Sequence, residues 1–135
     1  MSIPNTLLLA MCPFGDGLSA ERVAGAIAKG VRAAGMAEPD LCPIEDMLPD
    51  DFDVRMRRSR AVVVGARRLE ERTLAGSPVF ELATRARQAG VPAYAVTAKN
   101  ALAPFDARIL DLQLILEATD VRGLSAAGRK LGSLA

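Results

Sequence analysis

Hydrophobic residues in this chain follow two patterns, short continuous runs and helical spacing. Leu7–Met11 is a continuous apolar run, which is typical of a strand buried on both faces of a parallel sheet. Between residues 20 and 34 apolar side chains recur every three or four positions, which predicts an amphipathic helix. Ser19 is the predicted N-cap of this helix, and Gly35 is its predicted left-handed C-terminal cap.

The two patterns alternate along the rest of the chain. A second helix is predicted to begin at Ser77 and Pro78 and to end at Gly90, with Glu81 and Arg85 paired across one turn. A short helix is predicted near residues 105–110, and a last one over 124–134 that Gly128 and Gly132 weaken. Further strands are predicted over residues 40–44, 61–64, 91–97 and 112–116. Residues 45–59 are acidic and then basic, and they predict an exposed loop that could contain one short helical turn.

Alternating buried strands and amphipathic helices predict an α/β fold. We expect one domain over residues 1–135, with three layers: a mostly parallel five-stranded sheet and helices on both faces, Rossmann-like or flavodoxin-like. Ligands of such sheets bind outside the carboxyl ends of the strands. The loops of interest are therefore residues 12–18, 65–73, 97–101 and 117–123.

Composition and charge narrow the function classes. The 17 basic and 16 acidic residues are interspersed and give a net charge of +1, which argues against nucleic acid and an anionic membrane as partners. The short apolar run near the N-terminus is too short for a signal peptide or a membrane span. With two cysteines and no histidine the chain offers no disulfide framework and no metal site, and we expect it to be cytoplasmic.

Polar residues in three of these loops are candidates for binding an anion. Arg67 or Arg68 could grip a carboxylate or phosphate with two hydrogen bonds, although the alternative is that both are solvated or paired with Glu70 and Glu71. The loop before Ser19 could offer backbone N–H groups, or its glycines could simply shape a tight turn. The candidate ligand-binding residues are Asp16, Gly17, Ser19, Arg67, Arg68, Glu70, Thr73 and Lys99.

Cys12 is the one candidate nucleophile at this edge. It ends a strand beside the start of a helix, a position that can lower the pKa of a thiol. The alternative is a small buried hydrophobic residue, which we prefer because the chain has no histidine to act as a partner base.

Two segments resemble the bacterial glycerate kinase family, which phosphorylates D-glycerate with ATP. Residues 10–20 read AMCPFGDGLSA where the family has APDSFKGSLSA, and residues 24–30 read AGAIAKG, similar to its AxAIAxG. Residues 65–77 read GARRLEERTLAGS where the family has GEGRLDxxTLxGK. The matches occur in the family's order and cover most of the chain, so the resemblance implies the family's α/β nucleotide-binding-like half.

The chemically demanding positions of the family are replaced here. Its first-loop Asp, Ser and Lys correspond to Cys12, Pro13 and Gly15, and its loop Glu corresponds to Ala66. The lysine that ends its second motif corresponds to Ser77. The family's ADGGEGT motif, its large middle region and its second domain have no counterpart in these residues.

The expected function is therefore a non-catalytic glycerate-kinase-like domain that binds a small anionic ligand or a protein partner, with no catalytic residue assigned. The first alternative is glycerate kinase activity, needing ATP and Mg²⁺ and a partner chain for the missing half, since phosphoryl transfer requires positioned cations around the phosphates. The second alternative is a structural or assembly module, for which a homo-oligomer would be expected. The sequence leaves the cofactor and the ligand undetermined.

Overall fold

The computed structural model describes residues 5–15, 17–70 and 77–134, and its centre is a five-stranded parallel sheet. The strand order is β2-β1-β3-β5-β7, and every pair is parallel, as the predicted α/β fold requires. A separate two-stranded parallel sheet pairs β4 with β6. The strands are β1 Leu7–Met11, β2 Asp40–Leu41, β3 Ala61–Gly65, β4 Arg68–Leu69, β5 Ala93–Thr97, β6 Lys99–Asn100 and β7 Leu112–Glu117.

Five helices are described around the sheet, and each comes after one of its strands in the chain, in two cases with β4 or β6 in between. None of these described helices has both the length and the apolar character needed to cross a membrane. The helices are α1 Ala20–Ala33, α2 Phe52–Arg57, α3 Pro78–Ala89, α4 Pro104–Ile109 and α5 Val121–Leu134.

The sheet buries both of its faces, so the core has two halves. Leu7, Leu9 and Met11 of β1 point to the face covered by α1 and α5. Leu8 and Ala10 point to the opposite face, which α2 and α3 cover. Burial on both faces explains why β1 and β3 read as continuous apolar runs rather than as alternating patterns. The predicted three-layer arrangement is confirmed.

Local capping sets the helix boundaries as predicted. The Ser19 hydroxyl accepts a hydrogen bond from the Arg22 N–H at 3.2 Å, and the Ser77 hydroxyl accepts one from the Phe80 N–H at 3.2 Å. Each satisfies one N–H that a helix start leaves without a partner. Gly90 takes the left-handed conformation at φ 72°, which removes the steric cost that a side chain would meet there.

Four predicted boundaries were wrong, one of them the start of the strand predicted over residues 91–97, which begins at Ala93. The strand predicted over residues 40–44 is limited to Asp40–Leu41, although the Cys42 and Ile44 N–H groups still bond to β1. Pro43 lies between them, at a position whose N–H would face away from β1, which an edge strand tolerates. The short helical turn that the sequence allowed within residues 45–59 is α2, but the segment is not the exposed loop predicted, because Phe52 and Met56 are buried. The last helix begins at Val121 rather than at residue 124.

Glycines allow α1 and α5 to touch backbone to backbone. A Cβ atom on Gly30 would lie 1.8 Å from the Ser125 carbonyl oxygen, and one on Gly128 would lie 2.0 Å from the Ile27 carbonyl oxygen. Neither position has room for any side chain. Gly128, expected to weaken α5, is therefore the residue that permits the close packing of α5 against α1.

Candidate functional site

The strand order creates a crevice between the ends of β1 and β3. The chain leaves β1 to enter α1 on one face of the sheet, while the chain after β3 leads to α3 on the other face. Two neighbouring strands whose connections go to opposite faces form a topological switch point. Numbered among themselves, the five strands have the order 2-1-3-4-5, which is the order of flavodoxin-like sheets. Residues 12–15, 17 and 18 after β1 and residues 66–70 after β3 border this point, and both groups belong to loops that the sequence predicted to be of interest.

The loop after β1 is a tight turn built on two glycines. Gly15 and Gly17 have φ values of 106° and 78°, which side-chain-bearing residues rarely adopt. The Phe14 N–H donates to the Leu18 carbonyl at 2.9 Å, and the Leu18 N–H donates to the Gly15 carbonyl at 3.1 Å. The Arg22 guanidinium also donates to the Gly17 carbonyl. Two of the N–H groups of this loop, those of Phe14 and Leu18, are therefore already used within the turn.

The loop after β3 is held against the loop after β5. The β4–β6 ladder places Arg68 opposite Lys99 and Leu69 opposite Asn100. The carbonyl oxygen of Arg67 accepts hydrogen bonds from the N–H groups of residues 98 and 99 at 3.1 and 3.0 Å. Leu69 is buried in the core on the α2/α3 side, which holds β4 against this part of the core. The loops after β3 and β5, which the sequence predicted to lie at the same edge of the sheet, therefore form one ridge.

Thr97, which is not among the predicted site residues, connects the two loops of this ridge. It is fully buried at the end of β5, and its hydroxyl donates to the Ala66 carbonyl at 2.8 Å. The same hydroxyl lies 3.1 Å from the carbonyl oxygen of Arg67. A threonine closing an otherwise apolar strand is the sequence signal that could have drawn attention to it.

Three cationic side chains surround a cleft of about 410 Å³ at this edge, which Arg67, Arg68, Ala98 and Lys99 line. Arg68 forms an ion pair with Glu70 at 2.7 Å. Among the described residues, no acid forms an ion pair with Arg67 or Lys99. Arg67 and Lys99 are also exposed to solvent. The cleft therefore carries positive charge that its described surroundings do not neutralise.

Arg67 also joins the two sides of the switch point. A Cβ atom on Gly15 would lie 3.5 Å from Cδ and 3.6 Å from Nε of Arg67, so the arginine side chain lies over the first loop. The cleft residues come from the loops after β3 and β5, and Arg67 extends this group to the loop after β1.

The remaining predicted residues have other roles or lie elsewhere. The Ser19 hydroxyl is used as a helix cap, and Glu70 is paired with Arg68. Gly17 lies in the first loop but does not line the cleft. Asp16 and Thr73 lie outside the described residues.

Cys12 is a buried thiol rather than a reactive one. Burial, together with the nearby negative charge of Glu45, raises the pKa of Cys12 to about 11. The thiolate is the nucleophilic form, so at neutral pH this side chain stays protonated and inert. The lowered pKa that a strand end beside a helix start can produce is not found here, and the alternative of a small buried hydrophobic residue fits.

Within residues 5–15, 17–70 and 77–134, no group of three or more histidine, cysteine, aspartate or glutamate side chains could hold a metal ion. The charged side chains that line the cleft are cationic, whereas Mg²⁺ binds carboxylates and phosphates. The side chains that line the cleft therefore offer no carboxylate to the Mg²⁺ that the kinase alternative requires.

No family model, no curated protein and no solved structure matches the chain. The likeness to glycerate kinases thus depends on the quoted segments alone and stays a prediction.

Proposed function

We propose that this chain binds a small carboxylate- or phosphate-bearing anion at the carboxyl edge of its sheet, without transforming it. The observation that carries the proposal is the pair of exposed cations, Arg67 and Lys99, which no described acid neutralises and which border one cleft. The position supports it too, because the cleft lies at the carboxyl ends of β3 and β5, next to the switch point between β1 and β3, and sheets of this order bind their ligands at this edge.

The chemistry of the cleft favours a compact anion. Its volume of about 410 Å³ lies within the range of small-molecule sites, roughly 300–1,000 Å³. An arginine guanidinium can hold two oxygens of a carboxylate or phosphate at once, and a lysine adds a point charge. Arg68 contributes less in this proposal, since Glu70 already neutralises it.

Binding without catalysis is the better match to the described side chains. The chain has no histidine, the Cys12 thiol is protonated at neutral pH, and Glu70 is held by Arg68. These residues supply neither a general base suited to neutral pH nor an activated nucleophile.

A ligand screen followed by mutation tests the proposal. Thermal shift is measured with inorganic phosphate, D-glycerate, phosphorylated hydroxy acids and ATP, because a ligand at a hundred times its Kd adds about 2.7 kcal/mol of stability. The affinity of the best anion is then compared between the wild type and Arg67→Gln/Lys99→Gln. Loss of charged hydrogen bonds should weaken binding about ten- to hundredfold.

Arg57→Gln/Arg58→Gln is the matched control, because it removes two exposed arginines that form no ion pair with any described acid. This variant should bind the anion as the wild type does. Equal affinity in Arg67→Gln/Lys99→Gln, or an equal loss in the control, would contradict the proposed site.

The kinase alternative is supported only by the resemblance, and it has its own test. Purified protein incubated with ATP, Mg²⁺ and D-glycerate should form no phosphoglycerate above a control without protein. The family's loop residues are replaced at Cys12, Gly15, Ala66 and Ser77. Turnover at ordinary kinase rates, about 1–100 per second, would overturn the non-catalytic proposal.

A further inference from the structure

The outer face formed by α1 and α5 carries four cations that no described acid neutralises. They are Lys29 of α1 and Arg122, Arg129 and Lys130 of α5, all exposed to solvent. Residues 121–134 contain no acidic residue, although acidic and basic residues are nearly equal in number over the whole chain. The balanced net charge therefore conceals a basic surface, which we call the α1/α5 basic face.

Two neighbouring depressions lie on this face. One of about 580 Å³ is bordered by Lys29, Arg122, Ser125 and Arg129. The second, of about 540 Å³, shares Arg129 and adds Lys130. Arg122 and Arg129 are seven residues apart on one helix, so their backbones are separated by about 10 Å along its axis.

The backbones that carry these cations are fixed in position. Gly30 and Gly128 bring α1 and α5 into direct backbone contact, and Leu124 and Leu131 of α5 are fully buried beneath them. A rigid support reduces the entropy that a ligand must offset when it orders a binding surface. Only the outer parts of the cationic side chains remain to be ordered.

Acidic residues close to this face already have partners. The Asp120 carboxylate accepts a hydrogen bond from the Gly123 N–H at 2.7 Å at the start of α5. Glu38, beyond the end of α1, pairs with Arg32 at 2.5 Å. Neither carboxylate forms an ion pair with any of the four cations. The four cations therefore form no ion pair with any described acid, although the Asp120 carboxylate keeps its charge at the start of α5.

We propose that the α1/α5 basic face binds a compact polyanion that carries several linked phosphate groups. Cations distributed over about 10 Å match several phosphates better than one, and arginine pairs with phosphate through two parallel hydrogen bonds. None of the described residues lining the two depressions is aromatic, so a base-stacking platform for single-stranded nucleic acid is not formed here. The site is separate from the cleft at Arg67 and does not depend on it.

Inorganic tripolyphosphate is the probe that tests this site, by calorimetric titration of the full chain. Arg122→Gln/Arg129→Gln should weaken its binding by at least about tenfold, the effect of losing charged hydrogen bonds. The melting temperature of each free variant, measured in parallel, establishes that it is folded. Inorganic monophosphate should bind the wild type at least about tenfold more weakly than tripolyphosphate, because it engages fewer cations.

Two controls separate this face from general electrostatics and from the other site. Arg57→Gln/Arg58→Gln changes the net charge equally and should keep tripolyphosphate binding. Arg122→Gln/Arg129→Gln should cause the same loss when it is introduced into Arg67→Gln/Lys99→Gln, in which the cleft site is removed. An equal loss in the Arg57/Arg58 control, or no further loss in the Arg67→Gln/Lys99→Gln background, would overturn the proposal. Unchanged affinity in Arg122→Gln/Arg129→Gln, equal binding of monophosphate, or no binding of tripolyphosphate by the wild type would also overturn it.

Discussion

At the level of single side chains, Thr97 links the fold to the candidate site. Its buried hydroxyl bonds to the Ala66 carbonyl and lies beside the Arg67 carbonyl, so it holds the chain segment that presents the Arg67 side chain. The hydroxyl is small and hidden, yet it fixes the distance between the loops after β3 and β5. A change at this position should therefore affect both stability and anion binding.

We expect Thr97→Val to lower the free energy of unfolding by about 1–3 kcal/mol, because it leaves a buried carbonyl without its donor. Thr97→Ser keeps the hydroxyl and is the matched control, with a smaller loss from the missing methyl group. Urea denaturation measures both. A Thr97→Val variant as stable as the wild type would show that this hydrogen bond contributes nothing to the ridge.

Cys12 gives a prediction with a definite direction in pH. Its pKa is raised from 9.0 to about 11, so the folded state holds the thiol proton more tightly than the unfolded state. The free energy of unfolding should be unaffected by this group below pH 9.0 and should fall by about 2–3 kcal/mol as the pH rises to about 11. Cys12→Ala should flatten this part of the profile in urea denaturation. An identical fall in Cys12→Ala would assign it to other groups.

Among the helices and strands, the contact between α1 and α5 depends most directly on glycine. Gly128→Ala would place a methyl group 2.0 Å from the Ile27 carbonyl oxygen, so the helices must separate. We expect a loss of at least about 3 kcal/mol in the free energy of unfolding, since overpacking typically costs 1–3 kcal/mol and here the obstacle is backbone.

Gly25→Ala is the control for this change, because no atom of a neighbouring element lies within 4 Å of the methyl group that it would add. That variant should be more stable by about 0.5–1 kcal/mol, from helix propensity alone. Thermal denaturation of both variants tests the pair. Equal effects of the two substitutions would contradict the close packing of α1 and α5.

Local patterns determined the elements that could be predicted. The apolar runs of β1 and β3 and the capping serines 19 and 77 carry their own physical signal, and the structure confirms them. The two-residue strands β4 and β6 have no periodicity to detect, so only their pairing in space reveals them. The α2 helix is six residues long, and its signal is limited to buried Phe52 and Met56.

The candidate site was predictable in part from the topology of a parallel sheet. Parallel strands bring their carboxyl ends to one edge, so Arg67 and Lys99 could be expected near each other. The pairing of Arg68 with Glu70, rather than with a ligand, depends on side-chain geometry that spacing alone leaves open. The acid-free segment 121–134, which holds Arg122, Arg129 and Lys130, was a sequence signal for the α1/α5 basic face, whereas Lys29 joins these cations only when α1 and α5 pack together.

For the molecule as a whole, β3 is the element on which both halves of the core depend. It is the central strand, paired with β1 on one side and β5 on the other. Val63 contributes to the core beneath α1 and α5, while Val62 and Val64 contribute to the core beneath α2 and α3. The carboxyl end of β3 also leads directly into the candidate cleft. Damage to this strand should therefore affect the entire fold rather than one region.

We expect Val63→Asp to prevent folding. Val63 is fully buried between Leu9 and Tyr94 in the sheet register, and an unpaired carboxylate there costs several kcal/mol against a total stability of about 5–15 kcal/mol. Gln113→Asp places the same charge on an exposed position of the edge strand β7 and should fold normally. Circular dichroism and thermal denaturation compare the two. A cooperative transition for Val63→Asp at the wild-type melting temperature would mean that β3 is not the buried centre of the sheet.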